Sequence, residues 1–164
     1  FICIHTIMLS LEGVPALYVH SLFGTKNDYE LFDKTGQNRS LNRGKIKYKD
    51  IELLDKSKNQ TKIFNKLKTL SNIRKRQRAF HPNAVQFTLH LGKNLYGIWR
   101  QSLDKKQSIF CISNLTDKDV GLSLLDLNLI GFDEWEDLIS QKKFHDVTMK
   151  LTLTPYQTVW LTNL

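Results

Sequence analysis

GVPALYVHSLFGTKNDYELFDKTGQNRSLNR, residues 13–43, decides how the chain is read. Val14, Ala16, Leu17, Tyr18 and Val19 form a short apolar run, the pattern of a strand buried on both faces. Such strands belong to parallel sheets covered by helices. Asn, Asp, Arg, Gly and Ser dominate the rest of the stretch, without a partner strand nearby in sequence. Upstream, Ile4, Ile7, Met8 and Leu11 recur at helical spacing over residues 2–11, and Gly13 and Pro15 stop that helix. A helix followed by a buried strand is the repeating unit of an α/β barrel or a doubly wound sheet. One unit alone cannot cover its strand. The strand is therefore read as ending at the mouth of a ligand pocket whose other walls lie outside these residues.

Further along, Ile63, Phe64, Leu67, Leu70 and Ile73 make an apolar stripe that predicts a helix over residues 61–78, with Asn59 or Ser57 as its cap. His81, Pro82 and Asn83 end it. Beyond Pro82 the period changes to two. Residues 85–91, 147–153 and 158–161 alternate, and 95–100 and 108–113 read as further strands. Gly92, Lys93 and Asn94 suit the turn between the first two. The expected organisation is α+β: a helix–strand–helix piece over residues 1–83, then a small antiparallel β sandwich over 84–164.

With 164 residues, 41% hydrophobic and 24% charged, the chain can bury a core of ordinary soluble composition. Cys3 and Cys111 lie far apart, outside any CxxC, so neither zinc nor a disulfide is expected and a reducing, cytoplasmic setting is. The five histidines are scattered, and neither a metal nor another cofactor is expected. Phe1 opens an apolar segment with no basic region before it and too short to span a bilayer, which argues against a signal peptide and a membrane anchor. A chain cut from a longer one is the expectation.

Three groups of residues invite chemistry. Lys62, Lys66, Lys68, Arg74, Lys75, Arg76 and Arg78 make a basic helix, part of a formal net charge of +8. Nucleic-acid binding needs aromatics or a docking motif beside such a stripe; the aromatic here, Phe64, sits in the apolar stripe and no docking motif is present, so the cations are read as a solvated face. Asp28 with Glu30, and Asp133, Glu134, Glu136 and Asp137, are paired acids that a glycosidase would need at defined separation; loop-ordering is the favoured role. The segment Gly24–Glu30 with Asn38–Arg43 offers Asn, Asp and Arg, whose planar donors and acceptors fix sugar hydroxyls. The alternative is a loop that satisfies its own backbone. Three Asn-x-Ser/Thr patterns, at Asn38, Asn59 and Asn114, are short enough to arise by chance.

Leu9-Ser-Leu-Glu-Gly-Val-Pro-Ala-Leu-Tyr-Val resembles the last helix–strand unit of the catalytic (β/α)8 barrel in glycoside hydrolase family 13, the α-amylase family. Gly24-Thr-Lys-Asn-Asp-Tyr-Glu and Ser40-Leu-Asn-Arg resemble its sucrose phosphorylase branch. So do Ala79-Phe-His-Pro-Asn-Ala, Trp135-Glu-Asp-Leu-Ile-Ser and Pro155-Tyr-Gln-Thr-Val-Trp. The resemblance implies a retaining glucosyl transfer from sucrose or a related α-glucoside to phosphate, by an Asp nucleophile, a Glu acid and a second Asp. In the family these acids follow the fourth, fifth and seventh strands, so the expected partners are a sugar, phosphate and the missing barrel, and the piece alone is expected to be inactive. Arg43 matches an Arg that shapes the glucose pocket; Asn42, Asn27 and Asp28 would order its loop. A rival reading is a carbohydrate-binding or interaction module, which would display Trp99, Trp135 or Trp160 in an exposed row; alternation places Trp99 and Trp160 in the core instead.

Overall fold

The computed structural model describes residues 1–49, 59–127, 134–146 and 148–163. The chain divides into two compact units, Phe1–Pro15 with Leu70–Leu164, and Ala16–Thr69.

In the first unit, helix α1 (Ile2–Ser10) forms where the apolar spacing predicts it, but on a different face. Cys3, Thr6, Leu9 and Ser10 are buried, while Ile4 is 70% exposed and Ile7 and Met8 are half-buried. The small, hydroxylated side faces β3 (Ser108–Asn114) and β8 (Thr158–Asn163), which offer it polar partners in the Asn114 carbonyl, the Thr158 hydroxyl and the Trp160 N–H. Trp160 Nε1 donates to Ser10 Oγ at 2.8 Å. The Thr6 and Ser10 hydroxyls in turn donate to the carbonyls one turn back, at 2.8 and 2.7 Å.

The β strands are largely those the alternation predicts. β1 (Val85–Leu89), β2 (Leu95–Gln101), β3, β8, β5 (Trp135–Asp137) and β6 (Lys142–Phe144) form one antiparallel sheet in that order. Facing it, β4 (Val120–Ser123) pairs with β7 (Lys150–Leu153), giving the expected two-layered β region. Val147, the predicted start of β7, lies outside the described residues. Asp133 and Ser57 do too. β4, β5 and β6 are too short for alternation to mark them. Trp135, read as part of a turn, sits on β5 and is 1% exposed. It packs edge-on to Phe110 at 5.3 Å in a core shared with Leu122, Leu153 and Leu161. Aromatic side chains of this size bury enough apolar area to anchor such a core.

Two arginines join α1 to these strands. Arg100 on β2 is fully buried; it donates to the Ser10 carbonyl at 3.0 Å and to those of His81 and Ala84 at 3.0 and 3.3 Å. Arg74, on the last turn of α4 (Asn59–Lys75), donates to the Leu9 carbonyl and, at 2.8 Å, to that of Gly13. Both guanidiniums lie over the Phe80 ring, 5.2 and 5.9 Å from its centroid, and Phe80 meets Trp160 edge-on. Burial lowers the pKa of each arginine, and for Arg74 the charge of Arg100 adds to the effect. Arg74 is thus not part of a solvated face, as its sequence setting suggests; it is 6% exposed.

In the second unit, the first part of α4 carries Ile63, Phe64 and Leu67 inward, as predicted, and Phe64 stacks on Phe23 at 5.3 Å. The expected strand at residues 14–19 does not form. Residues 14–18 pair with no strand among the described residues, and Val14, Tyr18 and Val19 are 81%, 47% and 44% exposed. An apolar run becomes a strand only when neighbours take up its backbone hydrogen bonds, and Pro15 has no N–H to offer. Nor is the polar segment one long loop. Val19 opens a short helix, α2 (Val19–Phe23), and α3 (Tyr29–Thr35) and a 3₁₀ turn (Asn38–Asn42) follow.

Replacing Arg100 by Ala removes the side-chain donor from the buried carbonyls of Ser10 and Ala84 and one of two donors from that of His81, and should destabilise the fold by about 3 kcal/mol or more, whereas Arg76→Ala, at an exposed position, should fall within about 0.5 kcal/mol. Urea unfolding of the two variants distinguishes them. Cys111, on β3, is a second probe: burial pushes its thiol up to about 12, against the lowering pull of Ser10 and the two arginines. An acid held protonated by folding lends stability that is complete below its unfolded pKa near 9 and disappears as pH climbs towards 12. The stability of the wild type should therefore fall more steeply than that of Cys111→Ala across that window.

Candidate functional site

The second unit holds the residues that the sequence marks for sugar binding. Gly24 closes α2 in the left-handed conformation, φ 57°, and a Cβ there would come within 2.5 Å of Ile63 Cδ1. The chain can therefore turn tightly against α4 only at glycine. Asp28 then caps α3: its Oδ1 accepts from the Leu31 amide at 2.9 Å, and its own N–H donates to the Leu41 carbonyl at 2.7 Å. Thr35 and Ser40 hydroxyls meet at 2.7 Å, closing the return. Tyr18 OH donates to the Asn42 carbonyl at 2.9 Å.

An open cavity of about 580 Å³ lies in this unit, lined by His20, residues 25–30 and residues 44–46. Two of the four expected binding residues, Asn27 and Asp28, are on its wall. The other two, Asn42 and Arg43, are not, although Arg43 directly precedes Gly44, which is. Arg43 is exposed and its N–H donates to the Ser40 carbonyl at 3.3 Å; its guanidinium has no hydrogen bond or ion pair among the described residues. Asn27 and Asn42 are likewise exposed, and Asp28 is half-buried. His20 and Lys45 join the wall without having been singled out by sequence. Their only signal is adjacency, His20 to the apolar run and Lys45 to the Asn-Arg pair. His20 Nδ1 and Thr25 Oγ1 lie 2.7 Å apart.

The remaining candidates are structural. Asp137 is 2% exposed and accepts from the amides of Ile139, Ser140 and Trp160 and from the Ser140 hydroxyl, so it orders the β5 corner. Trp135 and Trp160 are buried, and Trp99 is half-buried between Phe87 and Phe110 at 4.8 and 5.6 Å. No row of free aromatic faces is offered by these three to a sugar, contrary to what a stacking module requires. Asn114, in one of the glycosylation patterns, is buried and its amide donates to the carbonyls of Lys118, Leu153 and Thr154. Among the described residues no group of three His, Cys, Asp or Glu could hold a metal ion, and no helix is long and apolar enough to cross a membrane.

No protein-family model matches the chain. Individual proteins do. It is 32% identical over 98% of its length to the glucosylglycerate phosphorylase of Escherichia coli K12, and spans 28% of that protein. It is 34% identical over 98% of its length to that of Allomeiothermus silvanus, spanning 26%. The enzyme of Spirochaeta thermophila is 34% identical over 71% of the chain, which spans 20% of it. Among solved structures, the cyclic α-maltosyl-(1→6)-maltose hydrolase of Arthrobacter globiformis matches 99% of the chain and 30% of its own length with a TM-score of 0.67 at 15% identity. AmyP in complex with maltose matches 98% of the chain and 33% of its own length with the same score at 12% identity. The chain belongs to glycoside hydrolase family 13. Its place is in the sucrose phosphorylase-like branch, with the glucosylglycerate phosphorylases as relatives, and it spans roughly a fifth to a quarter of their length.

Losing the cap at Asp28 should destabilise this unit by about 1 kcal/mol in Asp28→Ala, while Asp28→Asn, which keeps an accepting oxygen, should lie within a few tenths of wild type. Exchange of the Leu31 amide should quicken in the first variant and not in the second.

Proposed function

We propose that this chain is the C-terminal part of a retaining glycoside phosphorylase, which moves a glucosyl unit from glucosylglycerate, sucrose or a related α-glucoside to phosphate. Residues 1–83 would supply the last helix, strand, loop and helix of its (β/α)8 barrel, and residues 84–164 its C-terminal β domain. The observation that carries this reading is the alignment of 98% of the chain with phosphorylases of which it makes up about a quarter. The apolar run at residues 14–18, which finds no strand partner here, supports it: such a segment is suited to closing a barrel whose other strands come from elsewhere. On this reading the contact of α1 with β3 and β8 is the seam between barrel and β domain.

The chemistry is a double displacement: a carboxylate attacks the anomeric carbon, a carboxylic acid protonates the leaving oxygen, and phosphate then takes the sugar from the covalent intermediate. The family's three acids precede the unit represented here, so the residues of this chain bind and orient. Arg43, exposed and unengaged, would complete the glucose pocket by pairing with an acid of the missing barrel. Asn42 and Asn27 would hydrogen-bond near it, and Asp28 would hold their loop by its cap. Cys3 and Cys111, both buried free thiols, fit a reducing cytoplasm.

The 164-residue chain alone should release no glucose 1-phosphate from glucosylglycerate or sucrose with phosphate, whereas the polypeptide that includes the barrel should. In that polypeptide Arg43→Ala should lower kcat/KM by about tenfold to a hundredfold, the worth of one charged hydrogen-bonding group. Turnover by the chain alone, or wild-type rates in the variant, would sink these assignments.

A further inference from the structure

The guanidinium of Arg43 makes no hydrogen bond or ion pair among the described residues, yet the backbone around it is held at successive positions. Ser40 Oγ lies 2.7 Å from Thr35 Oγ1, and the Leu41 carbonyl accepts from the Asp28 N–H at 2.7 Å. Gly44 fits against Asp28 so closely that a Cβ there would come within 3.1 Å of Oδ2. These grips come from Asp28 and Thr35, in the same polar segment. The grip on Asn42 is different. Its carbonyl accepts from the Tyr18 phenol at 2.9 Å, a contact between residues 24 apart in the sequence. Tyr18 thus reaches the Asn-Arg pair from the apolar run, and its ring lies 5.2 Å from that of His20, tilted by 45°. His20 is itself held, with Nδ1 2.7 Å from Thr25 Oγ1.

The carbonyl of Asn42 and the N–H of Arg43 belong to one planar peptide unit. Both edges of that unit are bonded, the oxygen to Tyr18 and the N–H to the Ser40 carbonyl at 3.3 Å. The unit cannot rotate without giving up one bond or both, so the direction in which Arg43 leaves the backbone is fixed. That matters for a long side chain with no other anchor. It has rotamer freedom to lose on binding, and a misplacement of about 1 Å can cost a site much of its rate. We propose that Tyr18 is the positioning residue of Arg43: its hydroxyl ties the peptide unit that bears the arginine to the end of the run at residues 14–18. The proposal rests on the reading above, in which that run is a barrel strand and Arg43 completes the glucose pocket. Tyr18 itself is assigned no contact with the sugar. It passes the position of the strand to a side chain on the far side of the loop segment.

The test is a double-mutant cycle in the polypeptide that includes the barrel, with Tyr18→Phe, Arg43→Ala and the double variant. The readout is kcat/KM for glucosylglycerate with phosphate. Phenylalanine keeps the ring and removes only the hydroxyl. Tyr18→Phe should lower kcat/KM by about twofold to tenfold, the worth of one hydrogen bond. In the Arg43→Ala background the same change should cost less than about twofold, because the arginine it positions is gone. A tyrosine that only stabilised the fold would cost the same in both backgrounds. A fall of less than about twofold in Tyr18→Phe overturns the proposal, and so does a further fall of about twofold or more in the double variant. Wild-type rates in Arg43→Ala, or no phosphorolysis by the wild type, refute the pocket reading and leave the tie to a second measurement. Deuterium exchange over residues 38–46 then decides it: faster exchange in Tyr18→Phe upholds the tie, and unchanged exchange removes it.

Discussion

Two guanidiniums with no carboxylate partner among the described residues tie the end of α1 to the β region of the first unit. Arg74 and Arg100 take their hydrogen bonds from main-chain carbonyls, those of Leu9, Gly13, Ser10, His81 and Ala84, and share the face of Phe80. The carbonyls at the end of α1 have no partner within the helix, and the negative end of its dipole favours a cation there. Satisfying them with arginine fastens the helix end to the turn at residues 81–84 and to β2 at once. Burying like charges side by side is costly, and burial lowers the pKa of both. The cost is offset because each charge is spread over a planar group that several oxygens and an aromatic face can solvate. Because Gly13 and Leu9 are among the carbonyls gripped, the point at which the chain leaves for the loop segment is fixed by the β region.

That segment reads differently once folded. Short helices and a 3₁₀ turn, each begun or ended by a specific group, take the place of an open polar loop. Asp28 begins α3, and Gly24 and Gly36 end α2 and α3 with φ of 57° and 62°. The consequence for function is that carboxylates and amides which could contact a sugar are divided between two jobs. Asp28 spends one oxygen on the backbone, while Asn27, Asn42 and Arg43 remain exposed.

Much of the fold was legible in the residues. Alternation located β1, β7 and β8, since a strand with one face on the core repeats every second position; β2 and β3 were legible as further strands, although β3 is buried along its whole length and shows no alternation. The stripe of α4 located that helix. Strands of three residues, such as β5 and β6, hold too few positions to show a period, and so Trp135 passed for part of a turn. The face of α1 was misread for another reason. Its apolar residues are not the ones its partner selects, because β3 and β8 offer a Trp160 N–H and polar edges that Ser10 and Cys3 can meet. Arg74 passed for a surface cation because nothing adjacent in sequence announces the carbonyls that receive it.

The chain's family was legible in the order of its residues: several segments in sequence, among them Leu9–Val19 and Ser40–Arg43, resemble glycoside hydrolase family 13, and the likeness to the glucosylglycerate phosphorylases bears that out. The tertiary structure alone decided which cations are buried, which face of α1 is covered and which side chains share a cavity. Those outcomes depend on groups distant in sequence arriving within a few ångströms, with energies set by desolvation and hydrogen bonding at the point of contact. A periodicity or a motif carries no record of what will stand opposite it.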